Sequence, residues 1–171
     1  MVKNFLKILA RFFSVKKKRR LVFLGVLGLA ALTEFIASGL VRRTFVFYSI
    51  GDGMLTVEDR MLKRSSSREV NITRYVEEAL LGPILPDLAP LFPRETRLNS
   101  LMFRDGVVYA DLSESAALPP LEGGEVFRNF LTLYKGVRRN FPFVKDIRLF
   151  IAGRTVFFDK FRRIYIAENE K

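Results

Sequence analysis

The chain has 171 residues, enough for one ordinary domain plus a short additional segment, and it contains neither histidine nor cysteine. That removes Ser-His and Cys-His catalysis, thiolate or imidazole zinc sites, disulfides and a lipoprotein cysteine. Its net charge of +11 suggests nucleic acid, but the distribution argues otherwise: residues 1–43 hold 10 of the 29 Lys and Arg and one of the 18 acids. Residues 44–171, with 19 basic and 17 acidic side chains, are almost balanced, so the basic excess belongs to the N-terminus and not to a phosphate-binding groove.

In chain order, Lys3, Lys7 and Arg11 recur every four residues, opposite Phe5, Leu6, Leu9, Phe12 and Phe13. Segment 1–20 reads equally as a basic amphipathic helix on the cytoplasmic leaflet or as a disordered basic lead-in. Lys16, Lys17, Lys18, Arg19 and Arg20 then precede a run, 21–41, whose only ionisable side chain is Glu34. A helix of that length is about 31 Å long, close to a hydrocarbon core. Its Leu, Val, Phe and Ile favour insertion by very roughly 4 to 7 kcal/mol. The sequence thus predicts a transmembrane signal anchor over 21–41. The basic flank before it, against Arg42 and Arg43 after it, sets the N-terminus in the cytoplasm and the rest outside the cytoplasmic membrane. Ala37-Ser38-Gly39 offers a small-residue cleavage site, but the length of the run and the position of Glu34 favour retention.

The stretch 43–50 reads as a buried strand and 51–53 as a turn. Segment 54–64 reads as a second strand, with Leu55, Val57 and Asp59 on one face and Thr56, Glu58 and Arg60 on the other. Helical spacing of Val70, Tyr75, Val76, Ala79 and Leu80 predicts a helix over 69–83, stopped by Gly82-Pro83. Pro86, Pro90 and Pro93 mark an extended loop. Asp105-Gly106 between two apolar runs is a hairpin signal. After the loop 114–124, a second helix over 125–141 turns Phe127, Phe130, Leu131, Tyr134 and Val137 inward. A second hairpin turns at Ala152-Gly153-Arg154. The tail 159–171 reads as an edge strand through Ile164 and Ile166, or as a frayed end. The order predicts an α+β domain: one small mixed or antiparallel sheet with two helices packed against it, behind one transmembrane helix.

For chemistry, carboxylates alone remain: Asp105, Asp111, Glu114, Glu122 and Glu125. Most fall at turns or helix starts, where acids serve structural ends. Ser14 with Lys17 lies in the lead-in, and Leu121-Glu122-Gly123-Gly124 lacks the lysine and the preceding strand of a phosphate loop. The sequence argues against an enzyme and calls for no cofactor or metal.

The ordered set of Glu58 and Arg60, Leu81-Gly82-Pro83, Pro93, Asp111 and Ser113, then Val144 and Gly153, resembles the GerMN domain over about residues 44–158. That family occurs in sporulation and spore germination proteins and other bacterial envelope proteins. The resemblance implies a non-catalytic module related to ring-building folds, and a role in protein–protein interaction or assembly of an envelope complex. The family's better-known members carry two copies; this chain carries one, and Glu95 stands where a glycine is usual. The marked residues read as fold keepers: Gly82 and Gly153 for positive φ, Asp111 and Ser113 for closing a hairpin, Arg60 and Glu58 for a pair with each other or with Asp111. Expected partners are membrane lipids through the anchor and an envelope protein or a second copy. The alternative is a tethered peptidoglycan- or glycan-binding module, with Phe141, Phe143 and Phe158 as its platform; the absence of Trp counts against it.

Overall fold

The computed structural model describes residues 16–120, 125–156 and Arg163. The amphipathic pattern of 1–15, the loop residue Glu122, Phe158 and the tail lie outside the described residues. Two compact units meet at Leu40–Val41.

The first unit is helix α1, Lys16–Ser38. Ser38 Oγ and Thr33 Oγ1 donate back to the carbonyls of Phe35 and Ala30, at 2.6 and 2.8 Å. Gly39, at φ 61°, ends the helix in the left-handed region where a side chain would be strained. The run expected over 21–41 is therefore helical only to Ser38; Leu40 already opens a strand. Among the described residues no helix is long and apolar enough to cross a membrane. Leu21, Phe23, Leu24, Val26, Leu27, Leu29, Leu32 and Phe35, which point all round α1, are each more than half exposed.

The second unit runs β1 (Leu40–Ser49), β2 (Leu55–Lys63), α2 (Arg68–Leu81), β3 (Leu88–Ala89), β4 (Leu98–Arg104), β5 (Val107–Leu112), a 3-10 turn (Glu114–Ala117), α3 (Val126–Asn140), β6 (Asp146–Ile151) and β7 (Arg154–Val156). Its strands form two sheets, not the single one expected: β2-β1-β3 and β4-β5-β6-β7. The split arises because β3, only two residues long, pairs antiparallel with the end of β1 (Tyr48 with Ala89), while β4 pairs elsewhere. In the second sheet β5 and β6 are parallel, which requires the α3 crossover between them.

Both hairpins turn where the sequence places them. Asp105 and Gly106 take φ of 53° and 86°, Ala152 and Gly153 47° and 78°, the paired left-handed values of a type I′ turn. Ser67 caps α2 by accepting from Val70 N at 3.3 Å. The inward stripes shift slightly. Ile72 is buried and Val70 exposed on α2; on α3 Asn129, Leu133 and Gly136 join the core, whereas Phe127 and Leu131 are half-buried.

One core unites the two sheets and two helices. An aromatic row crosses it: Phe47, Phe45, Tyr75, Phe141, Phe143 and Phe103, successive ring centroids 6.4, 4.5, 5.7, 5.8 and 5.5 Å apart. The first two pairs are stacked and the last three edge-on, arrangements that suit the ring quadrupoles.

Candidate functional site

The charged pair on β2 faces inward. Glu58 and Arg60 are 7% and 8% exposed, while Leu55, Val57 and Met61, on the other face, are 59%, 50% and 46% exposed. Arg60 Nε donates to Glu58 Oε1 at 2.6 Å, and Nη2 lies equally close to the same oxygen. Its Nη1 reaches the Glu78 carbonyl and carboxylate, both at 3.1 Å, and Nη2 the Gly82 carbonyl at 2.6 Å. Glu58 Oε2 accepts from Ile84 N and Leu85 N at 3.0 and 3.2 Å. The guanidinium also lies over the Phe45 and Phe47 rings, 4.8 and 5.6 Å from their centroids. The pair thus closes the C-terminal end of α2, where free carbonyls favour a cation, and fixes the loop that leaves it. Arg60 thus pairs with Glu58 on its own strand and with Glu78 on α2; Asp111 is engaged elsewhere.

Gly82 at φ 86° is buried, and a Cβ there would press on Pro90 Cβ at 3.2 Å; Leu81 before it is 77% exposed. Pro83, half-buried, follows. Pro93 is buried and its carbonyl accepts from Thr96 N at 2.9 Å. Glu95, in that turn, is exposed and keeps a negative φ, so the turn does not demand glycine. Asp111 accepts from Gly153 N at 2.9 Å and from Asn99 Nδ2 at 3.3 Å, linking β4, β5 and the β6–β7 turn. Ser113 Oγ accepts from Arg97 N at 3.0 Å, and Ser113 N donates to Arg97 O at 2.9 Å. Val144, within the α3–β6 connection, is buried, and its N donates to Phe141 O.

Among the described residues the candidate carboxylates do not assemble into a reacting pair. Asp105 and Asp111 stand at opposite ends of β5, about 20 Å apart at strand rise. Glu114 and Glu125 are exposed, at the start of the 3-10 turn and before α3. Among the described residues no cluster of three acids could hold a metal ion. Of the three rings expected as a glycan platform, Phe141 is 1% exposed and Phe143 packs on the core, while Phe158 lies outside the described residues.

Sequence reasoning missed two features. Asn140 acts as a side-chain strand partner for β1, accepting from Thr44 N at 3.0 Å and donating to Thr44 O at 2.7 Å; an Asn at a helix end carries no such signal. The second is the outward face of β2. Leu55, Val57 and Met61 form an apolar row on what is, among the described residues, the outer strand of the three-stranded sheet. Its only interruption is Asp59, ion-paired with Arg42 and bonded to Thr44 Oγ1 at 2.8 Å; these hydrogen bonds, Arg42 first, hold its carboxyl below the usual range.

The family model for Germane, described as sporulation and spore germination, matches residues 46–156. This chain belongs to the Germane family. Its fold is similar to that of the first GerMN domain of the sporulation protein GerM from Bacillus subtilis, with a TM-score of 0.53 and 18% identity over 68% of this chain and 86% of that one. The tandem GerMN domains of the same protein match with a TM-score of 0.50 and 17% identity; this chain covers 40% of their length, as a single Germane domain would. No curated protein sequence matches the chain. The Germane match spans both sheets and both helices of the second unit and leaves α1 outside it.

Proposed function

We propose that this is a single-pass protein of the bacterial cytoplasmic membrane, N-terminus in the cytoplasm, whose Germane domain works outside that membrane as a non-catalytic protein-binding module. The anchor reading is supported by the basic flank of α1 and by large apolar side chains exposed on every side of it, an arrangement that is costly in water and favourable in lipid. A non-catalytic role is supported by the marked polar residues, which are engaged by backbone groups and by other side chains of the same domain.

The observation that carries the binding reading is the apolar row on β2. Among the described residues no strand pairs with the outer edge of β2, and with Leu55, Val57 and Met61 turned outward it offers the kind of surface on which a partner's strand adds. Anchoring in a thin layer raises the effective concentration of equally anchored partners. The test is a photo-crosslinking residue placed at Val57 in the full-length protein in cells, with Gly153 as a control position. Capture of a defined envelope protein, or of a second copy, at Val57 alone supports the reading. Recovery of wall glycan only, or equal capture at both positions, overturns it.

A further inference from the structure

Residues 42–171, with 21 basic and 17 acidic side chains, carry little net charge, yet the fold sorts their charges. Arg42 and Arg43 open β1, Lys63 closes β2 and Arg64 follows it, Arg68 opens α2, and Arg139 sits in the last turn of α3. Contacts gather these four segments at one end. Thr44 and Asn140 join β1 to the end of α3. Arg43 donates to Asn140 O at 2.6 Å and lies 4.3 Å from the Phe141 centroid; Arg68 lies 4.9 Å from that of Phe143. Arg74 donates to Lys63 O at 2.7 Å, tying the end of β2 to α2. Burial, and then the nearby Arg64 charge, hold the Arg43 guanidinium below its ordinary value. Five of the six cations are exposed and Arg43 is half-buried. Of the acids here, Asp59 is matched by Arg42, and Glu69 accepts from Phe103 N at 2.8 Å. The other end of β1 carries Asp52 and the Asp87 loop instead.

Only Gly39 separates α1 from β1, so this is the end at which the chain enters the domain. Four extended residues from Ser38 to Arg42 reach at most about 14 Å. We propose that the basic end binds the anionic phospholipid headgroups of the leaflet from which the domain emerges, pinning one end to the membrane and leaving β2's apolar row accessible from the side. This rests on the anchor reading above. Each cation near an anionic surface strengthens such binding about fivefold, within a Debye length of about 8 to 10 Å.

The chain has no cysteine, so single fluorophores can be placed at Ser66→Cys, between Arg64 and Arg68, and at Asp87→Cys as a control. Full-length protein is reconstituted in phosphatidylcholine vesicles with or without phosphatidylglycerol and quenched by headgroup spin labels. Quenching at Ser66 and not at Asp87 should rise with phosphatidylglycerol and fall in high salt. The phosphatidylglycerol-dependent population should fall about fivefold for each of Arg64→Gln and Arg139→Gln. Equal quenching at Ser66 in both vesicles, an equal rise at both positions, or indifference to salt and to the two substitutions overturns the proposal. Retention through an alkaline carbonate wash reports the anchor separately, so loss of retention sinks that reading whatever the probes show.

Discussion

Arg60 shows how little room the residue scale leaves for chemistry at the most deeply buried charges of the domain. Its donors and both Glu58 oxygens are engaged by partners within the fold. Arg60→Met strands a buried carboxylate and the last carbonyls of α2, and should cost about 3 to 5 kcal/mol; adding Glu58→Gln should cost less than the sum of the two single changes. Denaturant titration followed by tyrosine fluorescence checks both. The pair was visible in the sequence as a two-residue spacing, but its direction was not, because β2 reverses the usual rule and turns its apolar face outward over an inward ion pair. Gly136 carries a similar local decision. In mid-helix an alanine normally gains about 1 kcal/mol. Here a Cβ would fall inside the contact radius of Tyr75 Oη, so Gly136→Ala should instead destabilise by about 1 to 3 kcal/mol, and by less in a Tyr75→Phe background. Tyr75 also sets an alkaline limit. Burial raises its phenol above the ordinary value, so the folded state keeps a proton that the unfolded chain releases above about pH 10. Its contribution to stability is complete below that pH and declines by about 1.4 kcal/mol per pH unit above it. Tyr75→Phe removes its share of that slope, and buried Tyr134, shifted in the same direction by desolvation, retains its own.

At the scale of elements, what the sequence announced was what is decided locally. Asp105-Gly106 and Ala152-Gly153 adopt positive φ at both positions, and the helix stop at Gly82-Pro83 follows from the same backbone preferences. The pairing of elements was much less legible. β3 carries no alternation because it is two residues joined to β1 by backbone bonds, with Ile50 N donating to Asp87 O at 2.9 Å nearby. The β5–β6 parallel register is fixed by the α3 crossover, not by a turn motif. Asp111 then secures what register alone leaves loose, since its carboxylate reaches both β4 and the β6–β7 turn. Asp111→Ala should cost about 1 to 3 kcal/mol by leaving its donors without their acceptor. It should also accelerate hydrogen exchange at the Gly153 amide more than at amides in the middle of β5. Uniform acceleration across the sheet would mean that Asp111 has no special hold on that turn.

Across the whole molecule, charge is the organising quantity, and it works at two levels. The cluster Lys16–Arg20 is contiguous in sequence and was read as a topology signal without any structure. The basic end of the Germane domain is assembled from four separated segments, so no window of sequence displays it; folding alone brings Arg42, Lys63, Arg68 and Arg139 together. The two clusters flank α1's apolar run along the chain and therefore compete. Orientation is set chiefly by basic residues close to a hydrophobic helix. With eight before α1's apolar run and only Arg42 and Arg43 soon after it, the native chain should place the Germane domain outside. Replacing Lys16, Lys17, Lys18, Arg19 and Arg20 with Gln leaves three cations before the run and shifts the balance toward inversion. In intact cells Asp87→Cys should be modified by a membrane-impermeant maleimide in the native background. The five-fold neutralised chain should lose part of that labelling and regain it on lysis. Undiminished labelling would mean that folding of the domain outside, rather than the basic flank, commits the orientation. Absence of labelling in the native background would remove the anchor reading altogether.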